Sequence, residues 1–313
     1  MSTMTRQQFP RELQYGLFSV FGMDYDRWPT EWKEIFDDID SEKAYEEEVL
    51  LVGLGSAIET KEGASITFDA GKEGWTQRYT HKKTTLSFRL TQEALDDNLY
   101  VDLGRTYATS AARGMRFKEE VDAISVVNNG FTNSGAYYGG DGVPLFWPSH
   151  PLQGGGTLAN TFGSGSTITY ADLSEESLED ACIAIEGFVD DRGIPMRCMP
   201  QKVIHHRQNN FVAHRILHST LRVGTTNNDA NAMKEMRSIP NGHVVNHYLA
   251  DPGFWMIKTD CPQGFRRFQR KGIRKETEVD FATGDFMAKL WQRYSQGWTN
   301  YRAGFASTGA NSC

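Results

Sequence analysis

Between residues 84 and 124 the spacing of apolar side chains changes from two to three or four, and that switch decides most of what the chain can become. Leu86, Phe88 and Leu90 alternate with Thr85, Ser87 and Arg89, the period of a strand with one face covered. From Leu99 onward, Leu103, Tyr107, Ala111, Gly114, Phe117, Val121 and Ile124 follow at helical steps. The series predicts one helix of about 30 residues, about 45 Å long at ~1.5 Å per residue. Such a helix spans the width of a domain. Asn128, Asn129 and Gly130 are residues that tolerate a left-handed C-cap and should end it. The small residues from Ala108 to Gly114 let another element approach closely.

The alternation begins earlier, with Ile66 and Phe68, then Trp75, Gln77 and Tyr79, and with Gly71 and Gly74 at a bend it predicts a long β-hairpin over residues 58–90. Residues 130–170 are rich in glycine yet too aromatic for a free linker, and read as a folded loop or insertion. Ser174 then caps a helix with Leu178, Cys182, Ile185 and Phe188 on one face. Strands are expected at Lys202 to His206, Val244 to Tyr248 and Phe254 to Lys258, with a short helix around Phe211 to His218. A basic hairpin, an Asp-rich turn and a strand from Phe286 complete an α+β chain without a fixed-period repeat.

Charge is uneven along this framework. Residues 24–48 carry eleven acids against three bases, a net of −8, while Arg266, Arg267, Arg270, Lys271, Arg274 and Lys275 place +6 within ten residues. Aromatics are scattered through residues 1 to about 50 (Phe18, Phe21, Tyr25, Trp28, Trp32, Phe36), which read as an arm needing a partner surface. Opposite signs favour an intersubunit match between arm and basic strand. On that expectation, reversing Arg266, Arg267 and Arg270 would block assembly and leave folding unchanged. The rival is a nucleic-acid-binding structural protein, with the basic strand on phosphates. A net charge of −7 offers no whole-chain attraction to nucleic acid.

Several chemistries lack their residues. A mean hydropathy of −0.51 and the absence of an apolar run near ~18 residues speak against a membrane-spanning helix. The N-terminal sixteen residues lack a basic stub followed by an apolar core, so a cytoplasmic origin is expected. Cys182, Cys198, Cys261 and Cys313 lie far apart and are expected to be buried or idle thiols. Gly53-Leu54-Gly55 has Ile58 where a dinucleotide fingerprint has its third glycine, and Gly163-Ser164-Gly165 lacks the following helix of a nucleophile elbow. His205, His206, His214 and His218 fall within fourteen residues, with His214 and His218 four apart on a helix. A metal-dependent enzyme using this His205–His218 cluster is the weakest alternative, because the stretch lacks the Glu that follows the first His in zinc proteases. The expectation is imidazoles hydrogen-bonding within an assembly, with no catalytic residue, cofactor or metal.

The order of these elements resembles the major capsid proteins of tailed bacteriophages, the Hong Kong 97-like fold. The resemblance rests on TTLSFRLTQEALDDNLYVDLGRTYATSAARGMRFKEEVDAISVVNNGF, similar to the junction of extended loop and spine helix in Mu-like head subunits. DGVPLFWPSHPLQGGGTLAN resembles the family's D-G-x-x-L-F-x-x-x-H stretch, and DFATGDFMAKLWQRYSQGWTNYRAGFAS its C-terminal strands. It implies an N-terminal arm (1–57), an extended loop (58–90) and a peripheral domain with the spine helix (91–134). An axial domain (135–260) and a C-terminal β-segment (261–313) follow. It also implies pentamers and hexamers closing an icosahedral shell around double-stranded DNA, with the virion capsid as destination and the host bacterial cytoplasm as the place of assembly. Scaffolding, portal and decoration proteins are the implied further partners, and no membrane is. Intersubunit contact is expected at Trp28, Trp32, Trp75, Tyr79, Arg266, Arg267, Arg270, Lys271, Arg274 and Lys275.

Overall fold

A computed structural model describes residues 21–309, apart from 23, 24, 67, 92, 94–99 and 222–229 and the side chains of 100–104. Phe18, Leu99, Cys313 and the first twenty residues of the expected arm lie outside the described residues.

Two four-stranded sheets share one long helix. Strands β1 (Asp37–Asp40), β2 (Tyr45–Val52), β3 (Lys72–Thr80) and β4 (Lys82–Leu90) lead to helix α1 (Tyr100–Asn128). Two short ladders follow, β5 (His150–Pro151) with β6 (Thr157–Leu158) and β7 (Gly163–Ser164) with β8 (Thr167–Ile168). Next come α2 (Glu175–Glu186), β9 (Pro200–His206), α3 (Asn210–His218), α4 (Ala232–Glu235), β10 (His243–Asn246) and β11 (Trp255–Thr259). The chain closes with β12 (Phe265–Val279), β13 (Phe286–Trp298) and β14 (Gly304–Ser307). The first sheet has the order β1-β12-β13-β4 and the second β10-β9-β11-β14.

The second sheet is covered on both faces, and period two sorts its side chains. Val203, Trp255, Ile257 and Phe305 face Leu178, Ala181, Cys182 and Ile185 of α2 and Ala213, Ile216 and Leu217 of α3. Their neighbours Ile204, Met256 and Ala306 face Ala123, Ile124 and Val127 of α1 with Trp32, Ile35, Phe36 and Phe146. Pairing follows suit: Met256 sits opposite Ile204 and Ala306, Ile257 opposite Val203 and Phe305. Helix α2 starts as its sequence requires, with Ser174 Oγ accepting from Ser177 N and the Ser177 side chain capping in return.

Helix α1 bridges the two sheets, although its buried face is not the one its large residues mark. Ala108, Ala111, Ala112 and Met115 pack on Leu90, Phe286, Ala288 and Leu290 of the first sheet. Tyr107 and Phe117 of the expected face instead point outward, Phe117 at 55% exposure. Small residues occupy the contact because the sheet comes close: a Cβ on Gly114 would lie 3.2 Å from Leu86 Cδ2. The helix ends near Gly130, but without the expected left-handed residue, since none of 128–130 has positive φ. Asn129 Nδ2 instead donates to the Ser125 carbonyl, and Gly130 is needed because a Cβ there would meet Phe146 Cδ2 at 2.6 Å.

The alternation over 58–90 is not one hairpin. Strand β3 pairs antiparallel with β2, while β4, one residue further on, pairs with β13. The hairpin therefore comprises Tyr45–Val52 and Lys72–Thr80 around the loop 53–71, and His81 is the corner at which the strand changes sheets. Period two reports that a strand has faces; it carries no information about its neighbour.

His81 is buried and held from both sides. Ser41 Oγ donates to Glu46 Oε1 (2.8 Å), so towards His81 Nε2 (3.1 Å) it accepts, and Ser295 Oγ donates to Nδ1 (3.0 Å). Desolvation, then the repulsion of Arg293, lowers its pKa, with Glu46 opposing. The unfolded chain therefore takes up this proton first, and the stability held above about pH 6.5 is lost as pH falls below it. Thermal melting at pH 7.5 and 5.5 checks this: the His81→Gln variant should lose less stability across that interval than the wild type, and an identical loss contradicts the assignment.

Candidate functional site

Three clusters of functional side chains stand out, and the first answers the charge pattern of the sequence. The acidic arm segment does meet the basic strand, but within one chain: β1 lies parallel to β12 with Asp37 opposite Arg266 and Asp38 opposite Arg267. Arg267 is only 2% exposed. Its guanidinium bonds Asp38 Oδ1 (2.9 Å) and Glu119 Oε1 (3.3 Å) and lies 4.1 Å from the centre of the Trp32 ring. Glu120, fully buried beside it, accepts from the backbone N–H groups of Glu31 (2.9 Å) and Trp32 (3.0 Å). Burial pushes the Glu120 carboxyl up to about 7. The arm finds its partner here because a segment of the same chain is always near, at a loop-closure cost that grows only slowly with length.

Several residues expected at intersubunit contacts are thereby engaged inside the subunit. Trp32 is buried in the core shared with α1. Tyr79 is buried too; Thr299 Oγ1 donates to Glu48 Oε2 (2.6 Å), so the Tyr79 hydroxyl donates to Thr299 (2.5 Å). Arg266 lies 3.5 Å from both Asp37 and Glu48, and the Lys275 ammonium sits 4.8 Å from the Phe21 ring centre. Trp28 is 40% exposed under Arg113, Trp75 and Arg270 are half-buried, and Lys271 and Arg274 are exposed. Because Arg267 is buried, a triple reversal that includes it should perturb folding as well as assembly, unlike the expectation from sequence.

The second cluster explains the Asp-Gly-to-His stretch. Asp141 Oδ2 lies 2.6 Å from His150 Nδ1, and His150 Nε2 lies 3.1 Å from Asn160 Oδ1, a carbonyl oxygen that accepts. Asn160 Oδ1 also accepts from Trp147 N (2.8 Å), while Nδ2 donates to the carbonyls of Leu145 (2.7 Å) and Tyr301 (3.0 Å). His150 stacks flat on Tyr301 at 3.7 Å. An Asp–His–Asn chain can orient protons, yet here His150 and Asn160 are fully buried and tie the glycine-rich segment to the C-terminal strands. Gly139 serves the same attachment, since a Cβ there would fall 2.0 Å from Trp298 Cη2. Asn160→Ala strands at least two buried backbone groups, each costing about 1–3 kcal/mol. Denaturant unfolding should register a loss of that size or more; a change under about 0.5 kcal/mol, the surface-substitution range, contradicts this role.

The third cluster is the histidines. His214 and His218 are exposed one turn apart on α3, and the structure adds His243, which no local spacing links to them because it lies 25 residues further on. His205 is buried and hydrogen-bonds His243, whereas His206 accepts from Gln208 N. Burial, then the neighbouring His205, pushes His243 down to about 4, and burial lowers His205 and His206 as well. Cys182, Cys198 and Cys261 are buried thiols, with Cys182 pushed up to about 12 by desolvation. Among the described residues no helix is long and apolar enough to cross a membrane.

Outside these clusters, apolar surface collects on the hairpin. Leu51, Leu54, Ile58, Ile66 and Phe68 are exposed along its end, Phe68 at 97%, and Phe281 is exposed in the β12–β13 turn. Exposed apolar groups gathered in one segment are a common feature of interaction surfaces.

No curated protein matches the chain. Among solved structures, the capsid of the cyanophage P-SCSP1u is similar at 11% identity and TM-score 0.56, over 91% of this chain and 89% of that one. The capsid of an empty GTA particle matches at 11% identity and TM-score 0.54, over 90% of each chain. A Mycobacterium phage Che8 structure matches at 11% identity and TM-score 0.51, over 89% of this chain and 91% of that one. At such identity the likeness is one of fold, the Hong Kong 97-like α+β architecture of tailed-phage capsids. Residues 73–307 match the family described as phage capsid protein. That match takes in α1, both four-stranded sheets but for β1, and all of β3 but its first residue, and the chain belongs to the phage capsid protein family.

Proposed function

We propose that the chain is the major capsid protein of a tailed phage or prophage, closing as pentamers and hexamers into the icosahedral shell that encloses double-stranded DNA. The observation that carries this reading is the hairpin, whose exposed Leu54, Ile58, Ile66 and Phe68 belong to none of the chain's hydrophobic clusters. In a subunit that works alone such a surface invites aggregation; in a shell it becomes a contact repeated at every neighbour. Membership of the capsid family makes the virion capsid its destination, and self-association its principal interaction. Assembly in the bacterial cytoplasm, scaffolding and portal partners, decoration proteins and non-specific contact with packaged DNA belong to the same proposal. So does a purely structural, non-enzymatic role.

The subunit divides, on this reading, into an arm locked by Arg267, a hairpin of residues 45–80, a peripheral part on the first sheet and α1, and an axial part on the second sheet. Of the contact residues expected from sequence, Trp28, Trp75, Arg270, Lys271 and Arg274 remain available to neighbours. Electron microscopy of the purified chain tests the proposal: capsomers, shells or tubes support it. A monodisperse monomer at every salt and protein concentration tried refutes it.

A further inference from the structure

The histidines around α3 do more than line a surface, and the hydrogen bonds around His205 show how. His205 Nδ1 lies 2.9 Å from the His206 carbonyl oxygen, which can only accept, so this nitrogen carries the ring proton. Fully buried, the ring is neutral, and its Nε2 is left as an acceptor. That Nε2 lies 3.0 Å from His243 Nδ1, which must therefore donate. His243 is left with an unprotonated Nε2 whose lone pair is free. An imidazole whose second nitrogen is tied to an outer partner is the arrangement found behind metal-bound histidines, where it sets tautomer and ring orientation.

The other ligands are in place. His214 and His218 are four residues apart on α3, so both project from one face. One nitrogen from each of His214, His218 and His243 comes within 4.8 Å of the others. Ring centres are 4.5 Å apart for His214 and His218, and 5.9 and 5.7 Å from each of these to His243. Zinc bound at ~2.0–2.1 Å to tetrahedral nitrogens sets them about 3.3 Å apart. The exposed side chains of His214 and His218 can turn inward to close that difference.

We propose that His214, His218 and His243 form a three-histidine site for a divalent transition metal of the zinc class, with His205 as the positioning residue behind His243 and water in the fourth position. Borderline metals favour imidazole, whereas magnesium and calcium require oxygen. The site would pin α3, the crossover helix between the parallel strands β9 and β10, to β10 at the sheet edge. This inference is independent of the assembly reading. It departs from the metal-free expectation, which weighs His205, His206, His214 and His218 against the zinc-protease pattern and does not include His243.

Untagged protein stripped with a chelator and titrated with zinc chloride tests the site by calorimetry and melting. We expect one zinc per chain and a melting temperature that rises with zinc, as binding to the native state alone requires. His214→Ala and His218→Ala, both on the exposed face of α3, should melt like the wild type without zinc. Each should weaken zinc binding by at least about a hundredfold, the upper end of what even outer-shell substitutions cost, and abolish the zinc-induced rise. No stoichiometric uptake by the wild type, or uptake that survives the double substitution, overturns the proposal.

Discussion

Replacing Arg267 by alanine is expected to cost the subunit about 3–5 kcal/mol of folding stability, the range seen when one partner of a buried ion pair is removed. The loss comes from what remains. Glu119 is 3% exposed and would lose one of its two guanidinium partners, keeping Arg116 at 2.9 Å among the described residues, while Trp32 would lose the guanidinium covering its ring. The arm strand β1 would lose the shorter of the two ion pairs that reinforce its parallel pairing with β12, keeping Asp37 with Arg266. Charge reversal to Glu should be worse, since it sets a third carboxylate beside Glu119 and Asp38. Denaturant unfolding of purified subunits measures the effect, and Arg274→Glu supplies the control. Arg274 is exposed on the same strand, so its reversal should stay within about 0.5 kcal/mol. Equal melting of Arg267→Ala and the wild type would remove the arm lock from this account.

The second large effect is on assembly. Ile66 and Phe68 are 75% and 97% exposed, so changing both to Asp removes little contact within the subunit, and folding stability should move by no more than about 0.5 kcal/mol. If neighbours cover these residues, each buried side chain contributes about 1.5–3 kcal/mol per contact. The introduced carboxylates also oppose burial. Shell formation should then fall below detection by light scattering and electron microscopy at concentrations where the wild type assembles. Normal shells from this variant would remove the hairpin end from the assembly interface.

Much of the fold was legible in the sequence because its signals are local. The length of α1, the Ser174 cap of α2, the strands around 202–206 and 254–258 and the closing β-hairpin each follow from residues a few positions apart. The candidate sites were legible only in outline. The Asp141–His150–Asn160 stretch could be marked from its resemblance, yet nothing in the spacing says that Asn160 binds the carbonyl of Tyr301. Glu119 and Glu120 left a weaker signal. Glu119 falls on the face of α1 that Ala108, Ala112 and Met115 line, and Glu120 on the face of Ala123, Ile124 and Val127, so two adjacent carboxylates sit on the two faces that pack against the sheets.

The sequence by itself determined α1, α2 and most strands from Lys72 onward, because period, capping and side-chain size act over one or two turns; β1, β2 and the loop 53–71, where Ile66 and Phe68 sit, departed from it. It also determined that an acidic and a basic segment would attract each other. Tertiary structure alone decided that the attraction is satisfied within one subunit, that β3 and β4 part at His81 to join different sheets, and that α1 buries its alanines instead of Tyr107 and Phe117. It decided as well that His243 stands beside His214 and His218. In each case the deciding contact joins residues tens to hundreds of positions apart. Their meeting depends on which surfaces pack most closely once all elements exist, and no local period records that competition.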